Sequence, residues 1–232
     1  MTAQNQAYTP PRLKHVSQDI VGIKLEPIVA LSTLRRVGVE VLSVMSPTQQ
    51  SEDFFRRQSA GRLFTLLEAQ RAALKNSPAC NNLFINLPIT VLTVPENFQR
   101  LLRMDGAPLN IEIVEPAQFL TLTGAQQREV IQRLKRLTLQ DHRIWLDDVD
   151  ETLAQRFLCY RLPLHGIKID KEAFWRLRNT PELGQLVSFC AQLAGNVLIE
   201  GIETERDLAC AQRAGAGLGQ GYYWPSWTWP EK

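Results

Sequence analysis

The sequence predicts one α/β domain in which strands and helices alternate and close into a (β/α)8-type barrel. Three observations carry that expectation. Eight short, mostly β-branched runs bounded by turn residues recur along the chain, with stretches of helical period between them. No linker, low-complexity tract or charge run interrupts the alternation. The first two runs are separated only by residues 31–36. Parallel strands need a dozen or more connecting residues, so this pair is expected as an antiparallel hairpin. An open doubly wound sheet also fits the alternation. Eight units in one domain favour closure, which makes the architecture a modified TIM barrel with an antiparallel first strand.

Residues 1–18 are polar, carry Pro10 and Pro11, and read as a flexible arm ahead of a single barrel domain over 19–232. Strands are expected at 20–29, 37–44, 83–87, 110–114, 144–149, 166–169, 197–202 and 217–222, all short and most of them rich in β-branched residues. Between them, Val130, Ile131, Leu134 and Leu137 recur at the spacing of a helix face laid on a sheet. Thr180, Pro181 and Glu182 read as an N-cap, an N1 proline and an acidic first turn. Leu183, Leu186, Val187, Cys190 and Leu193 then share one face, and Gly195 stops the helix. Thr204, with Asp207 three residues on, resembles a capping box opening the last helix.

Composition mainly excludes. In 232 residues, 26 Lys and Arg stand against 24 Asp and Glu, a formal charge of +2. That balance argues against a DNA or RNA duplex or a membrane surface as partner. Arg35-Arg36, Arg56-Arg57 and Lys135-Arg136 read as solvated faces. The first twenty residues lack an apolar signal region and no apolar run approaches eighteen residues, so the protein is expected to be soluble and cytoplasmic. Cys80, Cys159, Cys190 and Cys210 form no C-x-x-C pair and read as buried free thiols rather than disulfides or a zinc site. His15, His142 and His165 are isolated from any cysteine. Glycines 215, 217, 219 and 221 do not form a G-x-G-x-x-G dinucleotide motif. The aromatic tail over 222–230 reads either as rings covering the barrel end or as a partner surface.

In a barrel of this kind the chemistry sits at the C-terminal ends of the strands. Polar residues embedded in or ending the apolar runs are therefore the candidates. They are Glu40 on strand two, Asn86 on three, Glu112 and Glu115 on four, Asp147 and Asp148 on five, and Lys168 and Asp170 on six. Strand seven contributes Glu200 and Glu203, and strand eight Gln220. One glutamate on a strand usually faces solvent. Acids on consecutive strands whose outer surfaces are covered by helices must instead face the rim or the interior. Several carboxylates converging there need counter-charge, and hard oxygen ligands suit Mg²⁺, Mn²⁺ or Ca²⁺ rather than zinc. An acidic site holding two divalent ions suits phosphoester displacement, with Lys168 placed to orient the attacking water or offset phosphate charge. Other metal-assisted barrel chemistry remains open on these residues alone.

The ordered segments E-V-L, I-N-L, E-I-V-E, D-D, K-I-D, E-G-I-E-T and Q-G-Y, spanning about residues 20–225, resemble the EAL family of cyclic di-GMP phosphodiesterases. The resemblance implies metal-dependent hydrolysis of cyclic di-GMP to linear pGpG with two Mg²⁺ or Mn²⁺ ions, Ca²⁺ supporting binding only, in a homodimer. It assigns Glu40, Asn86, Glu112, Asp147, Asp148 and Glu200 to the metals, and Lys168 and Glu200 to catalysis. Leu42, Gln220 and Glu26 would line the substrate, and Glu115 and Glu203 would anchor the loop after strand five. In this family the downstream process is commonly motility or biofilm.

The chain departs from the family pattern at several of these points. Val41 replaces the usual Ala of the signature, and Val44 stands where an Arg usually holds a phosphate. An aliphatic side chain cannot make the forked charge-assisted bond. Glu26 replaces a Gln and puts a negative charge near a phosphodiester; Val114 replaces a Thr. Val149, Asp150, Glu151 and Thr152 replace a Phe-Gly-x-Gly loop that the family uses for metal binding and dimer coupling. These departures support an alternative reading, a catalytically weak member acting as a cyclic di-GMP receptor or through a protein partner.

Overall fold

The computed structural model describes residues 13–47, 54, 55, 57–75, 82–104 and 106–229. Strands β1 (Ile20–Ala30) and β2 (Arg35–Met45) form the expected antiparallel hairpin, with Glu26 opposite Glu40, Lys24 opposite Leu42 and Gly22 opposite Val44. From β2 the sheet continues in parallel through β3 (Leu83–Pro88), β4 (Asn110–Val114), β5 (Arg143–Val149), β6 (Gly166–Ile169), β7 (Asn196–Ile199) and β8 (Leu218–Gly219). β8 pairs antiparallel with Val29 and Ala30 of β1, so the eight strands close into a barrel. β8 has only two residues and leaves the rest of that edge of β1 uncovered. The aromatic tail covers part of it: β9 (Trp227–Trp229) pairs antiparallel with Ile23, Lys24 and Leu25.

Around the barrel lie α1 (Leu13–Val16), α2 (Ala60–Leu74), α3 (Ile89–Thr93), α4 (Pro95–Leu102), α5 (Gly124–Thr138), α6 (Glu151–Phe157), α7 (Lys171–Leu177), α8 (Glu182–Leu193) and α9 (Glu205–Arg213). Their starts follow side-chain capping, which satisfies N–H groups that a first turn leaves unpaired. Thr204 and Asp207 form the complete capping box of α9, and Thr123 with Gln126 forms a second one at α5 that the sequence reading did not single out. At α8 the expectation shifts by one residue. Pro181 occupies the cap position, and the Thr180 hydroxyl instead donates to Leu177 O at the end of α7.

Alternation along each strand divides the barrel wall into two faces. Outward side chains such as Leu25, Val39, Ile85, Ile111, Leu146 and Ile199 join one continuous core beneath the helices. Inward side chains stack in layers. At the end where the parallel strands begin, Ile28, Phe84, Trp145 and Leu198 pack with Leu218 into an apolar plug. Gly38 and Gly166 leave room for it: a Cβ at Gly38 would sit 2.6 Å from Phe84 Cε2, and one at Gly166 would overlap the Trp145 ring. Trp145 Nε1 donates to Asn110 Oδ1 at 3.1 Å, and Asn110 Nδ2 to Asn82 Oδ1 at 2.7 Å, so the polar edge of the plug is satisfied.

Four expectations need correction. Strand seven stops at Ile199 and strand eight at Gly219, because the chain turns at Gly201 (φ +75°) and Gly221 (φ +151°), backbone conformations that disfavour a side chain. Residues 13–16 are helical, and Leu13 and Val16 pack against Ile20, Phe54 and Leu66, so the folded part begins before residue 19; residues 1–12 of the expected arm lie outside the described residues. Cys190 and Cys210 are buried free thiols, but Cys159 is exposed, since it follows α6 on the surface; Cys80 lies outside the described residues. The tail is neither only a cover nor only a free surface, because Trp227–Trp229 is a strand of the sheet while Tyr222 stays 75% exposed. Among the described residues, no helix is long and apolar enough to cross a membrane.

Candidate functional site

Directly above the plug, each of the eight strands, or the turn that ends it, sends one polar side chain into the barrel. The layer comprises Glu26, Glu40, Asn86, Glu112, Asp147, Lys168, Glu200 and Gln220. Its centre is the Lys168 ammonium, 1% exposed, which lies 2.7 Å from Glu200 Oε1, 2.9 Å from Asp147 Oδ1, 3.0 Å from Glu112 Oε1 and 3.3 Å from Glu40 Oε2. Glu40 also accepts hydrogen bonds from Asn86 Nδ2 at 2.9 Å and Gln220 Nε2 at 2.6 Å. The Gln220 amide reaches Glu26 Oε2 as well, at 3.1 Å, tying β1 to β2 through the turn after β8.

Local sequence explains how the layer is assembled. The glycine of E-G-I-E-T, Gly201, lets the chain leave β7 so that Glu200 turns inward; a Cβ there would press against Lys171 Cβ at 2.7 Å. The glycine of Q-G-Y, Gly221, lies against the backbone of Ile202, where a Cβ would overlap it. On β5, Asp147 and Asp148 stand against the single residue Lys168 of β6, a bulge that brings both acids to the site end. Asp148 takes φ +51° there, a left-handed conformation that Asp tolerates better than most residues. As a result Asp147, Asp148 and Glu200 each offer an oxygen within 4.8 Å of the others.

Electrostatics separates acids that look alike in sequence. Burial pushes Glu112 well above the ordinary carboxylate range, reinforced by the Glu40 and Asp147 charges and only partly opposed by Lys168. Burial likewise raises Asp147, and lifts Glu200 to about 8. Asp148, crowded at the mouth, rises to about 6 through desolvation and then the neighbouring Asp147 charge. Glu40 behaves oppositely. Burial opposes its ionisation, but Lys168 and the two amide donors outweigh it and hold the carboxyl below its usual value. Burial also disfavours a charged Lys168, yet Asp147, Glu112, Glu200 and Glu40 together raise it well above the normal lysine range. The surrounding acids therefore favour the charged form of Lys168, in which its ammonium donates hydrogen bonds.

The residues present fit divalent cations. Four acidic side chains surround a single ammonium. Buried oxygens here have no hydrogen-bond donor: Asn86 Oδ1, Glu112 Oε2 and Gln220 Oε1. Unsatisfied buried acceptors are costly unless a cation meets them, and an all-oxygen set suits Mg²⁺, Mn²⁺ or Ca²⁺.

The structure thus brings together Glu26, Glu40, Asn86, Glu112, Asp147, Lys168, Glu200 and Gln220, with Asp148 beside them and Leu42 one inward step above Glu40. Glu115 and Glu203 lie apart from this layer. Glu115 adopts φ +49° and its carboxylate accepts from the Gln118 amide, while Glu203 is exposed ahead of α9. Asp150 caps α6 by accepting from Leu153 N at 2.7 Å, and Glu151 forms a two-pronged ion pair with Arg176 at 2.7 and 2.9 Å. The segment after β5 is therefore the first turn of a helix. The sequence reading missed Lys24, whose ammonium lies 2.5 Å from Glu26 Oε1; its signal is the two-residue spacing to Glu26 on one strand face. His142 and His165 serve the far end of the barrel. His142 Nδ1 accepts from Leu109 N at 3.0 Å, and Asn196 Nδ2 donates to His165 O at 2.8 Å.

Comparisons with known proteins identify the family. Residues 13–226 match the EAL domain family. The chain is 26% identical over 212 residues to a cyclic di-GMP phosphodiesterase, TpdA, of Vibrio parahaemolyticus, covering 88% of this chain and 36% of that protein. This chain thus spans about a third of that relative. Among solved structures, an EAL domain protein from Listeria monocytogenes superposes with a TM-score of 0.73 at 18% identity, covering 97% of this chain and 95% of the other. BlrP1 of Klebsiella pneumoniae, in a complex with manganese and cyclic di-GMP, superposes with a TM-score of 0.70 at 22% identity over 89% of this chain and 55% of that one. At those identities the two superpositions speak for the fold. A family match over nearly the whole chain, on a closed barrel with an antiparallel first strand, places this protein in the EAL domain family.

Proposed function

We propose that this chain hydrolyses cyclic di-GMP to linear pGpG with divalent metal ions. The observation that supports it most is the inward layer in which Glu40, Glu112, Asp147 and Glu200 surround Lys168 above an apolar floor. Glu40, Asn86, Glu112, Asp147, Asp148 and Glu200 would hold two ions, Mg²⁺ or Mn²⁺. Such ions supply an acidified water and neutralise phosphoryl oxygens. Lys168 donates hydrogen bonds, orienting the attacking water and offsetting charge on the phosphorane-like transition state. Water adds to phosphorus, the P–O3′ bond breaks, and the ribose 3′ oxygen leaves with a proton. Gln220 bridges Glu26 and Glu40 and keeps β1 aligned with β2 beside the reacting group. Leu42 forms apolar wall for the nucleotide.

The test is hydrolysis of cyclic di-GMP in Mg²⁺ or Mn²⁺. The expected result is pGpG, lost in Lys168→Ala and in Glu40→Ala. A wild-type protein that binds the nucleotide in Ca²⁺ yet forms no product in Mn²⁺ would favour the receptor reading instead. The observation behind that second reading is the carboxylate of Glu26 on the site face, opposite Glu40, with aliphatic Val44 above it. A homodimer and a protein partner belong to the same proposal, as does a role in the cytoplasm. Their checks are sedimentation of the purified protein and fractionation of cells.

A further inference from the structure

We propose that Lys24 is a phosphate-binding residue at the barrel mouth, contacting the nucleotide from the β1 side; this rests on the proposed function and extends it. β1 runs antiparallel to its neighbours, so its early residues stand above the carboxylate layer. Lys24 is two residues from Glu26 and directly opposite Leu42, hence on the inward face. Its backbone is fixed on both sides, by Leu42 of β2 and Thr228 of β9. Its ammonium is held at 2.5 Å from Glu26 Oε1 and 5.6 Å from the centre of the Tyr222 ring, and the side chain keeps 32% of its surface open.

Three considerations make this a binding cation and not only a paired one. The layer beneath is acidic, and its own ammonium, Lys168, is already shared among four carboxylates. A phosphodiester approaching that layer meets repulsion which a cation at the mouth offsets. A lysine ammonium also has three donors, so one bond to Glu26 orients it without exhausting it. Finally, the mouth beside Lys24 is open. Gly22 is the next inward residue on β1, and a Cβ there would meet nothing closer than Val44 Cβ at 3.9 Å. The exposed face of Tyr222 borders the same opening and holds the lysine by a cation–π contact.

The experiment is a titration with cyclic di-GMP in Ca²⁺, which limits turnover, for the wild type, Lys24→Gln and Lys24→Arg. Loss of one charge-assisted hydrogen bond predicts roughly tenfold to a hundredfold weaker binding for Lys24→Gln. Lys24→Arg keeps the charge and is expected to recover most of the affinity. Mn²⁺ binding without nucleotide, and the melting temperature, serve as controls that Lys24→Gln leaves the layer below intact. Equal affinity of Lys24→Gln and wild type overturns the assignment while leaving the proposed function standing. So does a Lys24→Arg protein as weak as Lys24→Gln. A wild type that does not bind the nucleotide at all overturns the proposed function, and Lys24 with it.

Discussion

Replacing Lys168 with Met tests whether the layer is held together by charge. The side chain is 1% exposed and touches four carboxylates at 2.7–3.3 Å. Methionine has a similar length, so the cavity it leaves is small and the change isolates the charge. Removing one partner of a buried ion pair typically costs about 3–5 kcal/mol. Four partners do not multiply that figure, because carboxylates left without a cation take up protons, as Glu112 already tends to do. For a chain of this size about 1 kcal/mol corresponds to roughly 2–4 °C, so metal-free Lys168→Met is expected to melt about 6–20 °C below wild type. The assay is thermal unfolding by circular dichroism in chelator near neutral pH. The deficit should shrink in acid, where the carboxylates are neutral, and Mn²⁺ should raise the variant's melting temperature more than the wild type's, since a ligand that binds only the folded state stabilises it. A metal-free variant melting within about 2 °C of wild type would mean that Lys168 does not neutralise the layer, and the electrostatic argument would fail.

Three further outcomes follow from the same structure. In chelator, stability should fall as pH rises from the ordinary glutamate value of 4.5 towards about 8, because Glu200 is raised to about 8 and the folded state holds a proton that the unfolded chain has lost. Below that window the sign reverses, since Glu40 is depressed and its contribution disappears as it protonates; urea midpoints across pH therefore peak in mild acid, and a midpoint that climbs steadily to pH 8 refutes this. Gly166→Ala drives a methyl into the Trp145 ring in a packed plug and should cost about 1–3 kcal/mol or more, read from urea unfolding; a neutral result would show that the plug is loose. Asp150→Ala removes the acceptor for Leu153 N at the start of α6 and should cost about 1 kcal/mol by the same measurement, with no loss indicating that water replaces the cap.

The strand core and most of the polar layer were legible because the inward face of a barrel strand repeats every second residue. Glu40, Asn86, Glu112 and Lys168 each interrupt an apolar run, and a polar group in such a run has nowhere to go but the rim or the interior. What the sequence hid are the places where that period breaks. The bulge that sets Asp147 and Asp148 against Lys168 adds a residue without any composition signal. The ends of β7 and β8 depend on glycine conformations at Gly201 and Gly221, which resemble strand continuation when read as apolar runs. The tail reads as a turn-flanked aromatic cluster because only the three-dimensional shortness of β8 makes an edge for it to cover. Asp150 reads as a loop residue after two acids, although it opens a helix.

The two inward layers also bear on why the charges are there. Ile28, Phe84, Trp145 and Leu198 show that this barrel can be filled with well-packed apolar side chains one layer down. Replacing a buried ionic cluster by such residues is commonly neutral or stabilising. The polar layer is instead left with unpartnered oxygens on Asn86, Glu112 and Gln220, and with neighbouring acids driven apart, Glu40 below and Glu112 well above the ordinary carboxylate range. Folding gains little from that arrangement. A cation arriving at the open mouth gains a great deal, because it meets acceptors that are already desolvated, already oriented by the strands, and short of positive charge. On the proposed function, the same imbalance would oppose a nucleotide phosphate at the rim, so a cation on β1 and the acids below it would act as one electrostatic unit.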